Sequence, residues 1–210
     1  MKTIKYIFFA AMATLLMAAD CSNKDSEFYN DAFVTYDPDE KWPNLVTVER
    51  SASPEVQVSI TVAIPRLLPV SNIPNKKLDI FKTTGGATRM TFSFELEKEN
   101  TDGTWDFIEF LPTNLSTISG ESQVGSFVLA QCVYNGKDSY DYKANIKGLS
   151  SGNYRLSFGY NSTATNIIEF RSESTNNNLF LNLNSIQNSS NPNPSVLVSD
   201  GSGNYRFTIN

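Results

Sequence analysis

Thr88-Arg89-Met90-Thr91-Phe92-Ser93-Phe94-Glu95-Leu96-Glu97, then Asn100-Thr101-Asp102-Gly103, then Trp105-Asp106-Phe107-Ile108-Glu109-Phe110, is the stretch that decides the fold. In its first arm Met90, Phe92, Phe94 and Leu96 recur at every second position. A strand turns successive side chains to opposite faces, so this spacing predicts a β-strand with one buried face. The Asn-x-Asp-Gly segment supplies turn chemistry, and the second arm divides into Trp105, Phe107 and Glu109 against Asp106, Ile108 and Phe110. The whole reads as a β-hairpin.

The same period extends outward in both directions. Val56, Val58, Ile60, Val62 and Ile64 alternate with Gln57, Ser59, Thr61 and Ala63, a half-buried strand. Ala32–Tyr36, Leu45–Glu49 and Lys77–Phe81 are further strand candidates on the N-terminal side. Downstream, Val124–Tyr134 and Tyr140–Ile146 form a second hairpin around Asn135-Gly136-Lys137-Asp138. Ile167–Arg171, Leu179–Leu183, Val196–Val198 and Asn204–Ile209 complete the series. With no helical period beyond the N-terminal segment, the expected class is an all-β, antiparallel β-sandwich. So many strands exceed one small sheet pair. One enlarged sandwich over residues 31–210 fits, and so do two small β-domains divided near 113–123.

Leu149-Ser150-Ser151-Gly152-Asn153-Tyr154-Arg155-Leu156 resembles the loop-to-strand corner of immunoglobulin-like sandwiches. In that corner the glycine permits a turn of positive φ and the tyrosine hydroxyl bonds back to the loop. Gly203-Asn204-Tyr205-Arg206-Phe207 echoes the phrase about fifty residues later. The echo reads either as a duplicated unit or, preferably, as two uses of one hairpin grammar.

The first residues carry an address. Lys2 and Lys5 precede a continuous apolar run of thirteen residues, Ile7–Ala19. A spanning helix needs about 20 apolar residues, so the run is a signal-peptide core and residues 1–20 are expected to be removed. Small Ala18 and Ala19, then Asp20 where that pattern usually has Gly, Ala or Ser, then Cys21 and the polar Ser22-Asn23-Lys24-Asp25-Ser26-Glu27 resemble the lipidated cysteine and acidic tether of Bacteroidetes surface lipoproteins. The resemblance implies a lipid anchor on Cys21, a tether over residues 21–30, and the outer membrane, on its surface or periplasmic face. The other reading is an ordinary secretory signal cut after Ala19, with Cys21 a plain thiol.

The 210-residue chain has 17 Lys and Arg against 22 Asp and Glu and no histidine. Removing residues 1–20 takes away Lys2, Lys5 and Asp20 and makes the balance still more acidic. Nucleic acid is therefore not an expected partner, because its binding draws on clustered cations. Lack of histidine removes the usual base near neutral pH and the Ser-His-Asp and Cys-His arrangements. No cofactor is expected. Asp37-Pro38-Asp39-Glu40 and the Asp138/Asp141 pair lack regular calcium-loop spacing, so no metal is expected either. Glu95, Glu97, Asp106 and Glu109 leave carboxylate chemistry open, but on strands they read as solvent-facing residues, and the chain is expected not to be an enzyme. With Cys21 lipidated, Cys132 has no partner for a disulfide, and alternation places it with Val128, Ala130 and Tyr134 as a buried thiol.

Binding is the function that remains. Trp105, Tyr140 and Tyr142, with Trp42, are the candidate ring platforms for a glycan, and Tyr134 and Tyr160 also stand beside turns. Pro65–Asn75 holds three prolines and exposes Leu67, Leu68, Val70 and Ile73 as candidate contacts to a protein partner. The first expectation is a non-catalytic envelope lipoprotein that binds a glycan or another envelope ligand. The alternative is an assembly subunit of an envelope complex or appendage.

Overall fold

The computed structural model describes residues 33–36, 45–53, 56–69, 77–158, 167–173, 178–182, 197, 199–200 and 203–210. Cys21, Trp42, Val70, Ile73 and Tyr160, the tether, the Asp37–Glu40 acids and the 184–195 loop lie outside these residues. Residues 31–210 form one compact unit, and its described part is almost entirely β-structure. The strands run β1 (Phe33–Tyr36), β2 (Val46–Ser53), β3 (Val56–Pro65), β4 (Leu67–Pro69), β5 (Lys77–Asp79), β6 (Arg89–Glu99), β7 (Trp105–Phe107) and β8 (Leu115–Ser119). They continue through β9 (Glu121–Gln123), β10 (Val128–Tyr134), β11 (Ser139–Ile146), β12 (Gly152–Phe158), β13 (Ile167–Ser172), β14 (Asn178–Asn182) and β15 (Asn204–Ile209). Among the described residues the one helix is a single turn, α1 (Ile80–Thr83), and the N-terminal cap Asp79 accepts from the Lys82 amide. The strand expected over Lys77–Phe81 therefore ends at Asp79. Pairing is antiparallel throughout except for β1 with β14.

The long strand β6 organises the sheet. Its N-terminal half pairs with β10, from Arg89 opposite Val133 to Phe94 opposite Val128. Its C-terminal half pairs with β12 and, across the hairpin, with β7, where Glu97 faces Phe107 and Glu99 faces Trp105. The sheet continues from β10 through β11 and β3 to β2, and from β12 to β15. Met90, Phe92, Phe94 and Leu96 point inward, as their spacing predicts, and join Val58, Ile60, Val62 and Ile64 in the core. Phe92 of β6 meets Tyr142 of β11 edge to face at 5.2 Å, and Phe94 meets Phe110 in the same way at 5.6 Å. These contacts join the two halves of the folded sheet through one apolar interior.

The 113–123 segment, the boundary considered for two domains, holds β8 and β9, which pair with β11 and β10 and not with each other. Strand β10 touches β11 only at Val133–Asp141 and Tyr134–Tyr140. Beyond that point the two strands part, and β8 pairs with β11 while β9 pairs with β10. Gly120 fills the vertex at φ +76°, where an added Cβ would stand 2.4 Å from the Gln131 carbonyl oxygen and 2.9 Å from Tyr142 Cδ2. Only a residue without a side chain lets the strands separate there.

The corner phrase takes the geometry its residues require. The Tyr154 hydroxyl donates to the Ser150 carbonyl at 2.7 Å, and the Gln57 side chain fixes the same loop through the Leu149 amide and carbonyl. Cys132 is buried with Val128 and Ala130, and burial pushes its thiol well above the ordinary value. Half-buried Tyr134 lies just beyond, on Phe81 and Tyr140.

A candidate binding face on strands β7, β6, β12 and β15

Period-2 alternation that sends apolar residues inward sends their neighbours outward, and at one end of the sheet those neighbours form a grid. The first row contains Trp105, Glu99, Asn153 and Thr208. The second contains Phe107, Glu97, Arg155 and Arg206, each opposite the next. The third contains Glu95, Ser157 and Asn204. The aromatic members stand at the β7 edge; Phe107 is 60% exposed and Trp105 partly exposed.

Two guanidiniums directly opposite each other in adjacent strands repel, so Arg155 and Arg206 need counterions. Arg155 donates from both Nε and Nη2 to the Glu97 carboxylate, the latter bond 2.7 Å long, and the Glu97 side chain is only 8% exposed. Arg206 donates from Nε to Asp200 at 2.8 Å. Both guanidiniums also lie on Trp105, with their carbons 4.6 Å and 5.3 Å from the ring centroid. Trp105 is thereby held in place by charged groups that are themselves paired.

Neutral groups satisfy the remaining acids in part. Ser157 donates to Glu95 at 3.2 Å, and Asn153 donates to Glu99 at 2.9 Å while accepting from the Thr208 hydroxyl at 2.8 Å. Partial burial, followed by repulsion from Glu97, raises the Glu95 carboxyl above its ordinary value, against the Ser157 bond and Arg155. Asp106 stands opposite Lys98 on the other face of the hairpin, so the four acids noted on this hairpin do not converge.

The expected platform residues divide sharply. Trp105 belongs to the grid. Tyr140 and Tyr142 do not, because both are fully buried: their strand positions alternate inward, and their rings pack within the core. The Tyr140 hydroxyl donates to the Ala87 carbonyl at 2.8 Å, and burial pushes its pKa up to about 12. Tyr142 shares a hydrogen bond with Ser122 at 3.0 Å. The assignment of these two tyrosines to a ligand surface is therefore corrected. Of the expected protein contacts, Leu67 is exposed, whereas Leu68 is buried opposite Leu78 and is also corrected. Arg66 anchors this β4–β5 ribbon by a bidentate bond to Asp79, Nε to Oδ1 and Nη2 to Oδ2, which holds the Asp79 carboxyl below the usual carboxylate range.

Arg155, Arg206 and the acids around them were not singled out together from sequence, although the repeated Gly-Asn-Tyr-Arg phrase was their signal. Its two copies are adjacent antiparallel strands, with Tyr154 opposite Phe207 and Leu156 opposite Tyr205. Among the described residues no group of three or more acidic or cysteine side chains is arranged to hold a metal ion, and Asp138 and Asp141 bind the Asn135 amide. No described helix is long and apolar enough to cross a membrane. Comparison of the chain with protein-family models, with curated proteins and with solved structures returns no match.

Proposed function

We propose that this chain is a non-catalytic, lipid-anchored envelope protein of the outer membrane whose β-domain binds a glycan on the grid described above. The observation that carries this reading is the pairing of partly exposed Trp105 and exposed Phe107 with a row-by-row array of carboxylates, amides, hydroxyls and guanidiniums on one sheet face. Apolar ring surfaces suit the C–H faces of sugars, and a few fixed polar groups supply orientation. Lipidation at Cys21 would hold the chain at the outer membrane, on its surface or its periplasmic face.

A glycan-array screen of the full-length protein, with Trp105→Ala beside the wild type, tests the binding role. A specific hit lost in the variant supports it; no hit from folded wild-type protein overturns it. Radiolabelled fatty-acid incorporation that disappears in Cys21→Ser tests the anchor.

The assembly reading has its own support. Leu67, Leu111 and Ile118 are exposed as well as Phe107, and β7 pairs on one side only among the described strands. An unpaired edge can accept a partner strand. Site-specific cross-linking from position 107 or 118, recovering a defined envelope protein, would favour this second reading.

A further inference from the structure

The grid presents donors and acceptors side by side, and this mixture selects a chemical class of ligand. Arg206 is 52% exposed on its side chain, and its Nε is taken by Asp200. Among the described residues nothing hydrogen-bonds its Nη1 or Nη2, so an oriented fork of donors is open. One row away, Glu95 receives only the Ser157 hydroxyl through Oε1, and Glu99 receives only the Asn153 amide through Oε2. The second oxygen of each carboxylate accepts no bond from a described residue. Open acceptors thus lie on the same face as open donors.

A ligand carboxylate would match Arg206 and meet Glu95 and Glu99 as like charges. A ligand ammonium would match those acids and meet Arg206 as a like charge. A hydroxyl donates and accepts, so it fits both, and it forfeits no desolvated ionic charge in doing so. Resting on the glycan reading above, we infer that the ligand is an uncharged, hydroxyl-rich sugar, with Arg206 donating to its oxygens and Glu95 accepting from its hydroxyls beside the Trp105 ring.

The test is a titration of the full-length protein, wild type and the Arg206→Gln and Glu95→Gln variants, against three sets of oligosaccharides: neutral hexose oligomers, oligogalacturonates and chitosan oligomers. Melting curves run alongside verify that each variant is folded. Neutral oligomers are expected to bind best, and each variant to weaken them about tenfold, the size of one hydrogen bond to a charged group. Preferred binding of the uronate or the amino sugar overturns the inference and leaves the glycan reading standing. Neutral binding unaffected by both variants overturns the assignment of this face. Failure of every set with folded wild type overturns the inference together with the reading beneath it.

Discussion

Replacing Gly120 with alanine tests whether the vertex between β10 and β11 depends on a missing side chain. Two costs add at this position. The backbone sits at φ +76°, and an L-residue held there costs about 1–2 kcal/mol. The new Cβ would also stand 2.4 Å from the Gln131 carbonyl oxygen and 3.1 Å from that of Asp141. Neither is the free end of a flexible side chain, so strand backbone must shift, at a further cost of about 1–3 kcal/mol by analogy with overpacked cores. The total is about 2–5 kcal/mol, a large part of the roughly 5–15 kcal/mol that holds a domain folded. Gly103 and Gly136 provide internal controls. They have φ of +84° and +82°, and nothing lies within 4 Å of the Cβ that alanine would add. Gly103→Ala and Gly136→Ala should therefore lose only the conformational part, about 1–2 kcal/mol. Urea unfolding followed by circular dichroism gives all three differences on one scale. A Gly120→Ala loss no greater than that of the two turn variants would refute the steric account of the vertex.

Removing two buried tyrosine hydroxyls should have opposite results. Tyr140→Phe leaves the Ala87 carbonyl without its 2.8 Å donor and should cost about 1–3 kcal/mol in the same unfolding assay, whereas Tyr205→Phe removes a buried hydroxyl that has no partner among the described residues and should be neutral or stabilising. Equal losses would contradict this assignment of partners. The raised Glu95 carboxyl means that the folded state holds this proton more tightly than the unfolded chain does. Its contribution to stability is therefore present below the ordinary value of 4.5 and lost as pH rises through the higher folded value. Glu95→Gln should raise the melting temperature at neutral pH relative to wild type, with the gain shrinking in acid; a gain independent of pH would exclude this cause.

The hairpin at Thr88–Phe110 was legible because a strand's two-residue period converts directly into faces. Met90, Phe92, Phe94 and Leu96 are buried where the period puts them, and the Asn100–Gly103 turn forms between the arms. Two other local phrases carried as much. The Asn135–Asp138 turn joins β10 to β11, and the Gly152–Tyr154 corner makes its hydroxyl bond within four residues. Each rests on neighbours in sequence, so chain order alone specifies it.

Tyr140 and Tyr142 mark where that reasoning stops. Proximity to a turn says nothing about what covers a ring; here Tyr142 packs on Phe92 and Phe94 of β6, and Tyr140 is buried beside Tyr134 with its hydroxyl on Ala87. The 113–123 segment carried the same ambiguity, since Gly and Ser residues suit a linker as well as paired strands; here β8 lies along β11 and β9 along β10.

The all-β class, the inward and outward faces of the main strands and the turns between neighbours were legible in the chain, because these follow from alternation and local backbone preference. The binding face required tertiary structure. Trp105, Glu97, Arg155 and Arg206 come from four strands, and only hydrogen-bonded register across β7, β6, β12 and β15 aligns them. Two arginines about fifty positions apart in the chain become direct neighbours there. Pairing over such distances is set by which apolar faces close on one another, a property of the whole core rather than of any segment.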